Sequence, residues 1–318
     1  MAIPGVFSFT RYLEAKKSID DRALNRHVWQ ALIDNLPESS CDRPLRILEI
    51  GAGVGTMIER LIENDIFSYA TYDAIDADRE NITHALNRLK EWSRAHEINL
   101  SVRPEQRCLL DGAGKRIDVC LRDEDFFSFV AREQESYDLI ITNAFLDLVD
   151  VPATLPLILD LLDCGGMFYF SINFDGVTAM EPAIDPELDD RILSRYHRSM
   201  DERIINGKCS GDSRAGRHLF AHLDACDARI LAAGGSDWVV FPGPGGYTGD
   251  EAYFLHFIIH TIHEALKGDP ALDSGQLDKW VAERHRQVEQ GQLVYLAHQL
   301  DFIGTSRHSG AKPPETPG

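Results

Sequence analysis

Three glycines at alternate positions, Gly51, Gly53 and Gly55, follow Leu45-Arg46-Ile47-Leu48-Glu49-Ile50 and precede Thr56-Met57-Ile58-Glu59. Glycines so spaced make a turn whose backbone comes up against a ligand, since no side chain stands between them. The apolar run before them reads as a short strand covered on both faces of a parallel sheet, and the residues after them as the first turns of a helix. This arrangement implies a nucleotide-like ligand. A P-loop would need a Gly-Lys-Ser/Thr ending that is absent, and the dinucleotide fingerprint G-x-G-x-x-G would need glycine where Thr56 stands.

Further along, Tyr72-Asp73-Ala74-Ile75-Asp76 reads as a second strand ending in a carboxylate 21 residues after Gly55. A doubly wound sheet has at that point the acid that accepts hydrogen bonds from the ribose hydroxyls. Asp76 is the candidate, with Ala77 beside it. Tyr137 to Phe145 and Leu161 to Phe170 supply two more landmarks, the second containing a Gly165-Gly166 turn. Headed by Glu49-x-Gly51-x-Gly53-x-Gly55, the four segments resemble, in order, class I S-adenosylmethionine-dependent methyltransferases of the small-molecule type. The resemblance covers roughly residues 45 to 175.

The resemblance implies an α/β fold: a doubly wound, seven-stranded Rossmann-like sheet with the last strand antiparallel. It implies S-adenosyl-L-methionine as cofactor, held by Glu49, Gly51, Gly53, Gly55, Asp76 and Ala77. The family usually has an acid and an apolar neighbour for the adenine after the third strand; Asp125-Phe126 fits best, with Asp123-Glu124 one register away. Asn143 and Asp147, at the end of the fourth strand, would face the sulfonium and its methyl group. Read without the resemblance, Asn143 is a helix cap and Asp147 a solvated acid.

Composition narrows the classes. With 44% hydrophobic residues in 318 the chain is globular and long enough for one large domain, or one domain with a substantial insertion. Thirty-two Lys plus Arg against 51 Asp plus Glu give a net charge of −19, which repels phosphate backbones and anionic lipid heads. The expected partner is a small-molecule substrate, with neither nucleic acid nor membrane; oligomeric state is not legible. Six cysteines without C-x-x-C spacing point to a reducing, cytoplasmic setting. No apolar stretch approaches 18 residues.

Around the sheet, residues 1–40 read as an N-terminal helical cap, with a helix over 19–36 begun by the Ser18-x-x-Asp21 box and stopped by Pro37. The resemblance would set Tyr12, Lys16 and Arg22 near the cofactor mouth. The domain itself spans 41–304, and a polar tail follows over 305–318. Residues 97–125 read as a third strand with an extra hairpin around Asp111 to Gly114. Two insertions interrupt the domain, 175–216 after strand five and 243–291 after strand six, strand six being read over Asp237 to Pro242. Both are expected to meet over the carboxyl ends of the strands as a lid around the acceptor.

Methyl transfer is an in-line displacement that needs alignment and exclusion of water more than a fixed motif. An acceptor that must lose a proton also needs a base, and Asp147, His197 or the face of His256, His260 and His263 are the candidates. Metal binding by that face lacks a completing carboxylate or cysteine, so no metal is assigned. The acceptor reads as a small polar molecule such as a secondary metabolite. The alternatives are an aminopropyltransferase-like enzyme, whose paired-acid motif Asn143-Ala144-Phe145-Leu146 does not match, and a non-catalytic S-adenosylmethionine-binding protein.

Overall fold

The computed structural model describes residues 3–133, 135–205 and 207–306. Two helices, α1 (Phe9–Ala23) and α2 (Arg26–Asn35), lead into β1 (Leu45–Ile50), α3 (Thr56–Glu63), β2 (Tyr69–Asp76) and α4 (Arg79–Ala95). A meander of β3 (Asn99–Arg103), β4 (Arg107–Gly112) and β5 (Lys115–Asp123) follows, then α5 (Phe126–Arg132) and β6 (Tyr137–Asn143). A 3-10 turn over Leu146–Leu148 leads to α6 (Val151–Asp160), β7 (Leu162–Glu181) and α7 (Pro186–Asp201). The chain ends with a small hairpin, β8 (Ile204–Ile205) and β9 (Lys208–Cys209), then α8 (Ala215–Ala225), β10 (Ala228–Gly235), β11 (Trp238–Val240), α9 (Glu251–Leu266), α10 (Ser274–Glu289) and β12 (Val294–Ser306).

One sheet runs β10-β12-β7-β6-β1-β2-β5-β4-β3, with β11 also on β12. The pairs from β5 through β2, β1 and β6 to β7 are parallel, whereas β12 is antiparallel to both β7 and β10. This is the doubly wound order with an antiparallel last strand, extended at one edge by the β3–β4 hairpin. Buried residues of α2, α3 and α4 cover one face and those of α5, α6 and α8 the other. Leu45, Ile47, Leu48 and Ile50 alternate between the two cores, which is why β1 is apolar almost throughout.

A third core lies beyond the sheet proper. The strand β7 pairs with β6 only as far as Ser171 and then runs on to Glu181 against β12 alone. Ile172 sits at φ +58°, a strained value for a β-branched residue, at the point where the ribbon leaves the sheet. Its N–H donates to Asp301 Oδ1 at 2.7 Å, and Asp301 Oδ2 accepts the Asn25 N–H at 2.8 Å. The ribbon carries α1, α7, α9 and α10 as a helical cap, with Ile19, Ile192, Phe254, Ile258 and Trp280 in its core.

Several sequence expectations change. The helix expected over 19–36 is two helices, because Asn25 caps α2 by accepting from the His27 and Val28 N–H groups; Ser18 and Asp21 fall inside α1, whose cap is Ser8. Strand six is β10, whose Ala-Gly-rich sequence hid it, and the segment read as that strand contributes only β11. The strand β4 lay in the stretch taken for turn. Thr305 and Ser306 pair with Arg229 and Ala228 instead of opening a tail, and the rest of the expected tail lies outside the described residues. The insertions do meet: Asp189 of α7 accepts from Trp280 and Arg284 of α10, and Arg195 pairs with Asp269 at 2.6 Å. Among the described residues no helix is long and apolar enough to cross a membrane.

Candidate functional site

A cleft of about 550 Å³ opens at the carboxyl ends of β1, β2 and β6. Its floor is the glycine turn. Gly51 and Ala52 donate to the Ile75 carbonyl at 2.9 and 3.0 Å, which pins the turn to β2. Gly53 is at φ +53°, a region L side chains avoid, and a Cβ there would stand 3.2 Å from Leu13 of the cap. Gly51 is at φ +72°, where a Cβ would meet the Phe145 ring at 3.0 Å. Gly55 caps α3.

Asp76 ends β2 at the edge of the cleft. Its Oδ2 accepts the Gly53 N–H at 2.8 Å, and its Oδ1 accepts from the Asp78 N–H at 2.9 Å and Asn81 Nδ2 at 3.1 Å. A carboxylate has about four acceptor positions, so about one remains for a ligand hydroxyl. The Asn81 Oδ1 is buried in the cleft wall without a partner. At the other end Glu49 is buried and accepts from the Tyr72 hydroxyl at 2.8 Å, and burial pushes its carboxyl up to about 8. A buried carboxyl facing open volume favours a cation beside it. These features fit S-adenosylmethionine, whose ribose hydroxyls the acceptor groups of Asp76 and Asn81 would take and whose ammonium Glu49 would take.

The cap closes one side. Phe9, Leu13 and Lys16 of α1 line the cleft opposite the turn. Lys16 pairs with Asp20 at 2.6 Å, and Asp20 also accepts from Trp238 Nε1 at 2.8 Å and from Asn143 Nδ2 at 3.5 Å. This buried knot joins α1 to the ends of β6 and β11 and fixes the Asn143 amide, whose oxygen accepts from Ser171 at 3.4 Å. Of the three cap residues read as closing the mouth, Lys16 lines it. Tyr12 packs deeper, stacked on Phe257 at 4.3 Å, and Arg22 pairs with Glu251 at 2.7 Å.

Beside Phe145 and Leu148 in the cleft wall, Asp147 has Oδ1 buried and without a partner, and burial pushes its carboxyl up to about 6. His197 lies on α7, its Nε2 3.0 Å from Thr178 Oγ1 and its ring 5.2 Å from Phe174, outside the cleft lining. Burial pushes His197 down. Asp125 caps α5, accepting from the Phe127 and Ser128 N–H groups, and Phe126 is buried; neither lines the cleft, whereas Ala77 does. Asp125-Phe126 is therefore a helix start here. The histidine face packs within the cap: His256 and His285 touch at 2.8 Å, Phe7 stacks on His260 at 4.2 Å, and His263 reaches Asp278 at 3.1 Å. That corrects its reading as a source of the base. Phe9 and Leu13 were missed, since cap contacts leave no periodic signal, and so was Asn81, which joins the cleft from the first turn of α4.

Residues 48–168 match the family model of a methyltransferase domain. Solved structures of similar fold include a Bacillus halodurans protein assigned as a methyltransferase (7% identity, 88% of this chain and 98% of that one, TM-score 0.47). Another is geranyl diphosphate C-methyltransferase of Streptomyces coelicolor, in complex with Mg²⁺, geranyl diphosphate and S-adenosyl-L-homocysteine (12%, 87% and 77%, 0.40). A third is a cyclopropane synthase of Mycobacterium tuberculosis (9%, 95% and 100%, 0.42). No curated protein matches significantly in sequence. Over residues 48–168, then, the chain carries a methyltransferase domain.

Proposed function

We propose that this enzyme methylates a small-molecule acceptor that gives up a proton, and that Asp147 takes that proton. The observation that carries the reading is the buried, unpartnered Asp147 Oδ1 next to the cleft wall at the end of β6. A base near 6 is largely ionised at neutral pH yet retains some driving force for proton transfer. S-adenosylmethionine, when bound, supplies an electrophilic methyl group on a sulfonium. In this reading Glu49 pairs with its ammonium, Asp76 accepts from the ribose, the turn of Gly51 and Gly53 lets the backbone approach, and Asn143 lines the sulfur end. The cap of α1, α7, α9 and α10 keeps water out, and residues 175–216 and 243–291 bound the acceptor side.

His197 holds α7 to β7 through Thr178 and serves to position the cap. Supporting a small acceptor are the enclosing cap and the acidic surface of net charge −19, which disfavours nucleic acid. All six cysteines are free thiols, which suits a cytoplasmic location. The test is single-turnover methylation of candidate acceptors with radiolabelled S-adenosylmethionine. Label appearing in a small product, and lost in Asp147→Asn, supports the reading; label on protein or nucleic acid alone would overturn it.

A further inference from the structure

Lys16 is the one cation among the described residues that line the cofactor cleft, where Glu49, Asp76 and Asp78 supply the acids. It stands on the same face of α1 as Phe9 and Leu13, at i, i+4 and i+7, so the helix that closes the cleft presents two apolar side chains and one ammonium to it. The Lys16 side chain is 8% exposed, and its Nζ pairs with Asp20 Oδ2 at 2.6 Å. The same Nζ lies 5.3 Å from the centre of the Trp238 ring, whose Nε1 donates to Asp20 Oδ1 at 2.8 Å. One indole therefore holds both members of the pair in place.

A buried ion pair is a costly way to join two elements, since apolar residues of similar volume stabilise as well or better. The orientation of this pair gives it a use. Asp20 lies behind the cleft wall, accepting from Lys16, Trp238 and Asn143, so the pair is a dipole whose positive end faces the cleft. An ammonium has three N–H donors, and Asp20 takes one of them. Asn143, reached by the same Asp20 at 3.5 Å, follows Thr142, which pairs with Ile50. The ammonium thus stands over the end of β1 that carries Glu49.

We propose that Lys16 binds the carboxylate of the cofactor's amino acid group and makes the site specific for a cofactor that carries one. This rests on the S-adenosylmethionine reading above. In that reading Glu49 meets the ammonium and Asp76 and Asn81 meet the ribose, which leaves the carboxylate, on the same carbon as the ammonium, without a partner. Set among Glu49, Asp76 and Asp78 it is repelled unless a cation offsets them, and Lys16 is the cation in place. Asp20 is the positioning residue, aiming the Lys16 ammonium and the Asn143 amide from one carboxylate. A decarboxylated cofactor, as used in aminopropyl transfer, would leave Lys16 N–H groups facing it unpaired in a nearly dry wall. The same residue therefore separates methyl transfer from aminopropyl transfer.

The test uses the full chain and two probes that differ only in the carboxylate, S-adenosylhomocysteine and its decarboxylated analogue, titrated calorimetrically at pH 7. Wild type is expected to bind S-adenosylhomocysteine at least about tenfold more tightly. Lys16→Met should weaken S-adenosylhomocysteine by about 10- to 100-fold and change the analogue by less than about twofold, bringing the two affinities together. Because that variant strands the Asp20 charge, Lys16→Met combined with Asp20→Asn, which keeps an acceptor for Trp238 Nε1, is measured beside it and should show the same loss of preference. Equal binding of both probes by wild type, or a preference that survives in the folded variants, would overturn the Lys16 assignment and leave the methyltransferase reading in place. Failure of both probes to bind the folded wild-type chain would overturn both.

Discussion

The Gly53 N–H donates to Asp76 Oδ2 at 2.8 Å, so the glycine turn and the carboxylate that ends the second strand form one rigid unit at the mouth of the cleft. Replacing Asp76 removes the brace of the turn together with the proposed ribose ligand. Asp76→Ala should weaken S-adenosylhomocysteine binding by roughly 1.5 to 3 kcal/mol, the range for hydrogen bonds to a charged group. Calorimetry checks this, and an unchanged affinity would remove Asp76 from the cofactor site.

Gly53→Val should abolish cofactor binding with little loss of helix content. Valine at φ +53° is strained, and its Cβ would press on Leu13 at 3.2 Å, pushing the cap away from the cleft. Circular dichroism and a binding titration on the same sample read the two effects. Tight binding by a folded variant would mean that the turn does not touch the cofactor.

With Glu49 as the proposed partner of the cofactor's ammonium, cofactor binding is expected to release a proton. Its carboxyl is raised from 4.5 to about 8 by burial, so at pH 7 the free protein holds that proton, and an ammonium set beside it drives the proton off. Titrations of S-adenosylhomocysteine at pH 7 in buffers of different ionisation enthalpy should report release of up to about one proton, and none for Glu49→Gln. The same shift predicts that stability without cofactor is greatest below about 4.5 on this group's account and falls as pH rises towards 8, because the native state alone keeps the proton in that window. Identical heats in all buffers would contradict the ammonium assignment.

As the proposed base, Asp147 is expected to set the acid limb of activity. With its carboxyl near 6, kcat/KM should rise about tenfold per pH unit below that value and level off above it. Asp147→Asn should lower kcat by roughly 10² to 10⁴ and flatten this limb, with cofactor affinity intact. A variant that keeps the limb would show that another group takes the proton.

Asp301 holds the ribbon to the sheet. Asp301→Ala would strand the Ile172 and Asn25 N–H donors, one of them on a strained residue, and should cost about 2 to 4 kcal/mol of unfolding free energy. Chemical denaturation measures it; a loss within about 0.5 kcal/mol would mean that the bend does not depend on this carboxylate.

The parts legible in the sequence were those with strong local rules. The run Leu45 to Ile50 is apolar because both sheet faces are covered, the alternate glycines mark positive-φ turn positions, and Glu251 to Leu266 carries a continuous helical stripe. What stayed hidden depends on contacts distant along the chain. The strand β10 is built from Ala and Gly that show no alternation, and its identity comes from pairing with β12. Asp125 has the residue type expected of an adenine ligand, yet two nearby N–H groups claim it as a cap, a choice sequence cannot make.

The most direct measurement of the central claim is an electron-density map from crystals grown with S-adenosylhomocysteine. The account predicts density in the cleft between the glycine turn and the cap, with the ribose on Asp76, the ammonium on Glu49 and the sulfur at the Asn143 end. A vacant cleft with the ligand bound elsewhere on the same chain would contradict it.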